Sequence, residues 1–289
     1  MEGILVALAI PFRDGKINTD NLTLHAEALI KEGVDGFFIL GTTSQGVLLN
    51  IDERRLILEV LSEIKAKHLI IQVYSNDWGI TRETIKLAEH YGADAVASIP
   101  PIYYKPDYST LKLMYGKINE LTSLPLYIYN IPGSTSFNIT PSLVERLIKD
   151  GVKLSGIKDS SGDLAQLMEF INLSLNVFSG SDNLIVPSIT VGANGVISIL
   201  ANSNTELVVN AYRLAKSGDL NKALNAQRVI SRTMNITEAY PKPAVYHSLI
   251  KLLKYDFGGV KEPLVRNLTQ DEESQLAQQL KSIGLKAIL

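Results

Sequence analysis

Leu154-Ser155-Gly156-Ile157-Lys158-Asp159-Ser160-Ser161-Gly162-Asp163 reads as the close of a strand and the opening of a helix. An apolar run ends at a lysine, a small polar turn follows, and the helical pattern Asp163–Asn172 begins. An ammonium at the end of a buried strand is costly to desolvate, so its pKa falls towards neutrality. The resulting neutral amine is a nucleophile suited to a carbonyl carbon. A lone lysine at a loop start is more often an ordinary surface residue, so its neighbours must decide the matter.

Working outward, Lys153–Ile157 is the sixth of eight short apolar runs. The others are Ile4–Ile10, Gly36–Leu40, Leu69–Tyr74, Asp94–Ile99, Pro125–Tyr129, Asn176–Ser179 and Gly195–Leu200. Longer amphipathic stretches alternate with them: Thr19–Glu32, Asp52–Ile64, Arg82–Tyr91, Tyr108–Leu121, Thr140–Lys149, Asp163–Asn172 and Asn183–Val191. Strands apolar on both faces and separated by helices predict a parallel sheet. An open, doubly wound sheet is the structural alternative, but regular units in this number favour closure into an α/β (β/α)8 TIM barrel over residues 1–204. From Thr205 the strand signals stop. Glu206–Lys216, Leu220–Thr237, Lys242–Leu253 and Gln270–Ile283 predict a C-terminal helical extension, residues 205–289, packed on the barrel or on a partner subunit.

Composition narrows the function. A hydrophobic content of 46% with 20% charged residues suits a large buried core. The net charge of −2 gives no electrostatic case for nucleic acid or an anionic membrane. The absence of cysteine removes disulfides, thiol catalysis and thiolate metal sites together. His25, His68, His90 and His247 have no ligand spacing to one another, so no metal is expected. No apolar run nears the ~18 residues of a membrane span, and Met1-Glu-Gly-Ile lacks a signal-peptide start. The expectation is a soluble, cytoplasmic chain.

In such a barrel the chemistry sits at the carboxyl ends of the strands. There the sequence places Gly41-Thr42-Thr43-Ser44-Gln45-Gly46, Pro100-Pro101-Ile102-Tyr103-Tyr104, Tyr129-Asn130-Ile131-Pro132-Gly133, Lys158 and Ser179-Gly180-Ser181-Asp182. Each alone is ordinary turn chemistry. Together they gather a lysine, a tyrosine and a hydroxyl-rich glycine loop at one mouth, as a carbonyl-chemistry site requires. Gly41 and Gly46 are spaced like a phosphate loop, but Val47-Leu48 stand where Lys-Ser/Thr is needed, so the nucleotide reading fails. Consecutive N–H groups and hydroxyls instead suit a carboxylate.

With these residues in place, the chain resembles the pyruvate-dependent class I aldolase family, which includes dihydrodipicolinate synthase, N-acetylneuraminate lyase and the archaeal 2-keto-3-deoxygluconate aldolases. The resemblance runs from about Gly3 to Leu268. It rests on Gly41-Thr-Thr43, Tyr129-Asn-Ile-Pro132, Gly156-Ile-Lys158-Asp-Ser160, Ser179-Gly-Ser-Asp182 and Gly195-Val-Ile-Ser198. It implies that Lys158 forms a Schiff base with a 2-keto acid and that Tyr129 relays protons. It implies that Thr42 and Thr43 hold the substrate carboxylate, that Tyr103 reaches a neighbouring subunit's site and that the Ile197 carbonyl faces the lysine. It further implies no cofactor beyond the covalent lysine, small 2-keto acid and aldehyde substrates, and a homotetramer built as a dimer of dimers.

Departures point to a subfamily. Ser134 stands where dihydrodipicolinate synthases usually carry an arginine for the second substrate's carboxylate. Gln45 replaces the usual glutamate, Ser44 a glycine, and Asn183 the acidic residue of sialic acid lyases. Ser134, Thr135 and Ser181 suit the hydroxyls of a polyol better than a dicarboxylate. The expected activity is reversible cleavage of 2-keto-3-deoxygluconate to pyruvate and glyceraldehyde. The alternatives are condensation of pyruvate with aspartate semialdehyde, with Lys105 or Lys242 gripping the second carboxylate, and a barrel that binds sugar acids without catalysis.

Overall fold

The computed structural model describes residues 1–285; residues 286–289, the end of the expected C-terminal extension, lie outside the described residues. Eight parallel strands close into a barrel: β1 Gly3–Ala7, β2 Gly36–Ile39, β3 His68–Gln72, β4 Ala95–Ser98, β5 Leu126–Asn130, β6 Gly156–Asp159, β7 Asn176–Ser179 and β8 Gly195–Ser198. Each strand pairs with the next in sequence, and β8 closes on β1 with Leu5 beside Ile197. Between them run α1 Thr19–Lys31, α2 Ile51–Ser62, α3 Trp78–His90, α4 Tyr108–Leu121, α5 Pro141–Lys149, α6 Leu164–Asn172 and α7 Ile185–Thr190. After β8 come α8 Thr205–Ser217, α9 Leu220–Thr237, α10 Ala244–Leu253 and α11 Gln270–Ser282. Among the described residues no helix is long and apolar enough to cross a membrane.

The strands are apolar on both faces because each face packs on a different layer. Ile4, Val6, Phe37, Ile39, Ile128, Ile157, Val177 and Val196 point outward into the main core under the helices. Leu5, Ala7, Phe38, Tyr127, Tyr129, Phe178 and Ile197 fill the barrel interior. Helix starts are fixed by side-chain caps, as where Asn50 and Glu53 form a reciprocal capping box on α2.

Several boundaries differ from the periodicity. α3 begins at Trp78, because Asp77 accepts from the N–H groups of Gly79 and Ile80 and so stabilises a turn whose glycine masks the helical pattern. A hairpin, Phe12–Arg13 against Lys16–Ile17, was not expected, although its Asp14-Gly15 turn carries the sequence signal. The sixth strand begins at Gly156 instead of Lys153 and runs one residue past its expected end at Lys158, to Asp159. Polar side chains at a strand's end resemble a turn in sequence, yet their backbone stays in the ladder.

The C-terminal helices pack on the barrel. Gln227 of α9 accepts from the Val186 N–H and donates to the Asp182 carbonyl. Lys254 reaches Glu32 at 2.6 Å and Thr205 at 2.8 Å.

Candidate active site

Tyr129-Asn130 at the end of β5 and Lys158-Asp159 at the end of β6 lie side by side, Tyr129 in register with Lys158 and Asn130 with Asp159. Successive strand side chains alternate faces, so the first residue of each pair enters the barrel and the second leaves it. Outside, Asn130 Nδ2 donates to Asp159 Oδ1 at 2.8 Å, and Asp159 accepts the Ser161 hydroxyl at 2.8 Å. Asp159 therefore ties down the turn after the lysine. Asp163 caps α6 through the Gln166 N–H.

Inside, Lys158 is only 3% exposed, and its Nζ stands 4.1 Å from the ring centres of both Phe38 and Tyr129. Burial pulls its pKa from 10.5 down to about 7, against the opposing pull of the Asp182 carboxylate. The chain makes room for it at Gly180, where a Cβ would stand 2.0 Å from Ser160 Oγ and 2.9 Å from Lys158 Cε. The Tyr129 hydroxyl lies 3.3 Å from Thr42 Oγ1. Burial pushes this phenol up to about 12, despite hydrogen bonds with Thr42 and Ser160, so at neutral pH it holds its proton. Asp182 is buried behind Lys158; it accepts from the Ser198 hydroxyl and from the N–H groups of Ile199 and Leu200. Burial raises its pKa in turn.

The glycine loop follows β2. Its carbonyls are tied back: Leu40 O by Gln72 Nε2, Gly41 O by the Gly46 N–H and Thr42 O by the Gln45 N–H. Ser44 Oγ donates to Leu8 O at 2.7 Å and is not free for a ligand. The N–H groups of Thr42 and Thr43 find no acceptor among the described residues. They are available to a carboxylate.

These groups surround a chamber of about 620 Å³ at the carboxyl ends of the strands. Lys158, Tyr129, Thr42, Thr43, Ser134, Ser181 and Ile197 all line it, which brings together the residues expected from sequence with one exception. Tyr103 lies outside, 90% exposed on the loop after β4, its ring 4.9 Å from that of Tyr104. Sequence reasoning missed Asp182 as a neighbour of the lysine, although the motif around it was in view. It also missed Phe38 and Ser160, and the contribution of Met234, Glu238 and Tyr246 from the C-terminal region; of the two lysines weighed for a second carboxylate, Lys242 lines the chamber and Lys105 does not. No local pattern tells which helix will cover the mouth. A side chamber of about 280 Å³, lined by Val47, Ile99, Ile102 and Leu264, opens beside Tyr129 and Lys242.

A separate hollow of about 680 Å³ lies by α10 and α11. Its cations are occupied, Arg13 with Asp256 and Lys251 with Glu273, and the carbonyl-chemistry groups are elsewhere. Among the described residues no group of three or more histidines or carboxylates is placed to hold a metal ion.

The model of the dihydrodipicolinate synthetase family matches residues 1–283. The chain is 30% identical to 4-hydroxy-tetrahydrodipicolinate synthase of Methanocaldococcus jannaschii, with 98% of this chain and 99% of that protein covered. It is 32% identical to the protein of the same name in Methanopyrus kandleri, over 99% of this chain and 97% of that one. Among solved structures, a variant of Sulfolobus solfataricus 2-keto-3-deoxygluconate aldolase superposes with a TM-score of 0.91 at 26% identity, covering 97% of this chain and 96% of that one. A dihydrodipicolinate synthase superposes with a TM-score of 0.89 at 28% identity, covering 99% and 100%.

Proposed function

We propose, since the chain belongs to the dihydrodipicolinate synthetase family, that it is a 2-keto-3-deoxygluconate aldolase that uses Lys158 as its nucleophile. Members of this family are pyruvate-dependent class I lyases that work through a covalent lysine Schiff base with no metal or other cofactor, and the chain is an enzyme of that kind. The observation that carries the sugar-acid reading is the lining of the chamber. Ser134 and Ser181 face it where a second carboxylate would need a cation, no arginine among the described residues lines it, and its outer cation, Lys242, is ion-paired with Glu238.

In this reading the loop N–H groups at Thr42 and Thr43 hold the C1 carboxylate and the Lys158 amine attacks the C2 carbonyl. Tyr129 gives its proton to the carbinolamine hydroxyl, which leaves as water, so iminium and phenolate form together. The phenolate, a strong base beside a cation, takes the C4 hydroxyl proton. The C3–C4 bond breaks, its electrons pass into the iminium, and glyceraldehyde departs. Protonation of the enamine at C3 and hydrolysis return pyruvate and the free lysine. Tyr103, exposed on this protomer, serves a neighbouring site in a homotetramer.

The test is to incubate the protein with 2-keto-3-deoxygluconate, assay pyruvate and reduce a parallel sample with borohydride. Pyruvate release with an adduct on Lys158 supports the reading. An adduct with pyruvate but no cleavage of the sugar acid rejects this substrate. A second reading, condensation of pyruvate with aspartate semialdehyde, is favoured by Lys242 at the rim, which would exchange Glu238 for the incoming carboxylate. Direct assay of that condensation separates the two.

A further inference from the structure

Arg54 of α2 is fully buried, and among the described residues the bonding around it contains no carboxylate. Its guanidinium donates from Nη2 to Gly46 O at 2.9 Å and Tyr74 O at 3.4 Å, and from Nη1 to Thr84 Oγ1 at 3.0 Å and Val73 O at 3.5 Å. Nε donates to Leu49 O at 3.3 Å. Tyr74 is the one ionisable residue among these partners, and it takes part through its carbonyl. Burial lowers the guanidinium's pKa to about 10, which leaves it charged at neutral pH. A buried charge with only dipoles around it is costly, and buried cations are ordinarily matched by an anion.

Two of its partners, Gly46 and Leu49, belong to the segment that carries the cradle. Gly46 closes the loop through its N–H to Gly41 O, and its own carbonyl is held from behind by Arg54. The carbonyls of Gly46 and Leu49 thus turn towards the arginine and those of Gly41 and Thr42 are taken within the loop, while the Thr42 and Thr43 N–H groups remain for the chamber. We infer that Arg54 is a positioning residue for the keto-acid carboxylate: it fixes the loop's N–H groups towards the chamber and sets an uncompensated positive charge behind them, for which the bound carboxylate is the counter-ion. This rests on the proposal that the chamber takes a 2-keto acid. Field from behind a preorganised set of N–H groups acts on charge, so it discriminates a carboxylate-bearing carbonyl from a neutral one.

The experiment compares borohydride trapping of pyruvate and of hydroxyacetone, an uncharged carbonyl, on Lys158 in the full-length protein. The quantity read is the ratio of their half-saturating concentrations. Arg54→Gln is expected to cut pyruvate's advantage by about tenfold or more, the loss typical of one charge-assisted interaction. Arg54→Lys keeps most of the advantage at pH 7. An ammonium in the same buried place loses its charge at lower pH than the guanidinium, so the advantage should decline at lower pH than in the native protein measured alongside. A purely structural role would weaken both carbonyls together, and an equal loss in Arg54→Gln overturns the inference. If Arg54→Gln does not fold, Arg54→Lys decides: an advantage that follows the native protein at every pH overturns it. No pyruvate adduct on the native protein overturns this inference and the proposed function together. Trapping with an unchanged ratio overturns this inference alone.

Discussion

Lys158→Met should make the protein inactive and more stable. Holding the lysine's pKa at about 7 instead of 10.5 costs the folded state about 4 kcal/mol at pH 7, at about 1.4 kcal/mol per unit. Methionine matches the unbranched stem and leaves no charge to desolvate, so packing changes little. Two losses offset the gain: the contacts of Nζ with the Phe38 and Tyr129 rings, and the positive neighbour of Asp182. Asp182 keeps its three hydrogen bonds, so a net stabilisation of roughly 2–4 kcal/mol is expected.

The sign of the pH dependence sharpens the test. Between pH 7 and 10.5 the unfolded lysine holds more protons than the folded one, so native stability rises with pH across that window. Methionine has no such slope, and the gap between the two proteins should close as pH approaches 10.5. Other groups, including Tyr129, are common to both proteins and largely cancel in the difference. Urea midpoints at matched protein concentration, taken at pH 7 and pH 10, give the result. A variant less stable than the native protein at pH 7, or a gap that does not shrink with pH, would refute the account of Lys158 as a buried, depressed amine.

In the proposed mechanism Tyr129→Phe removes the proton relay but little packing. Cleavage turnover should fall by roughly 10²–10⁴-fold, measured as pyruvate release, while the fold survives. Gly180→Ala drives a methyl into Ser160 Oγ and the Lys158 stem. It should cost about 1–3 kcal/mol in denaturant unfolding and most of the Schiff-base trapping. His25 and His247 are buried and held to about 3 and about 4 by that burial. The unfolded chain takes protons that the folded chain refuses, so stability is lost as pH falls from about 6.5 towards those values. Replacing either with Gln should shallow the slope of stability against pH by about one proton, or about 1.4 kcal/mol per pH unit.

The barrel was legible because its physics is repetitive. Strands that bury both faces must be apolar throughout, and eight such runs alternating with helices leave few closed solutions. Lys158, Tyr129 and the loop at Thr42 were legible for a related reason: polar residues that end buried strands stand out against Gly36-Phe-Phe-Ile39 or Gly195-Val-Ile-Ser198. What stayed hidden were pairings that only three dimensions supply. Arg54 sits in a helix with Asp52, Glu53 and Arg55 and reads there as one more surface charge. Its burial follows from the packing of α2 on α3 and the strand ends, which no local pattern encodes. Likewise Met234 and Tyr246 read as ordinary residues of amphipathic helices, and become part of the chamber because α9 and α10 fold back over the mouth.

The charges of the site fall into an order with a consequence for substrate choice. First is Arg54, fully buried and bonded to Gly46 O at the end of the glycine loop, with no anion in its bonding among the described residues. Next come Lys158 and Asp182, a pair whose members each push the other towards its charged form while burial pushes both towards neutrality. At the rim Lys242 and Glu238 pair in partial exposure, where such contacts are weak and readily exchanged. In the proposed reading, a substrate entering with its carboxylate first meets increasingly uncompensated positive charge, and its far end comes to rest against a rim that is neutral as a pair. A neutral polyol leaves the rim pair intact. A far-end anion must displace Glu238, and the cost of that displacement falls when Glu238 is replaced by Gln. Glu238→Gln should therefore raise activity towards aspartate semialdehyde relative to 2-keto-3-deoxygluconate. If that ratio of kcat/KM values does not move, the rim pair is not what sets the far end of the substrate.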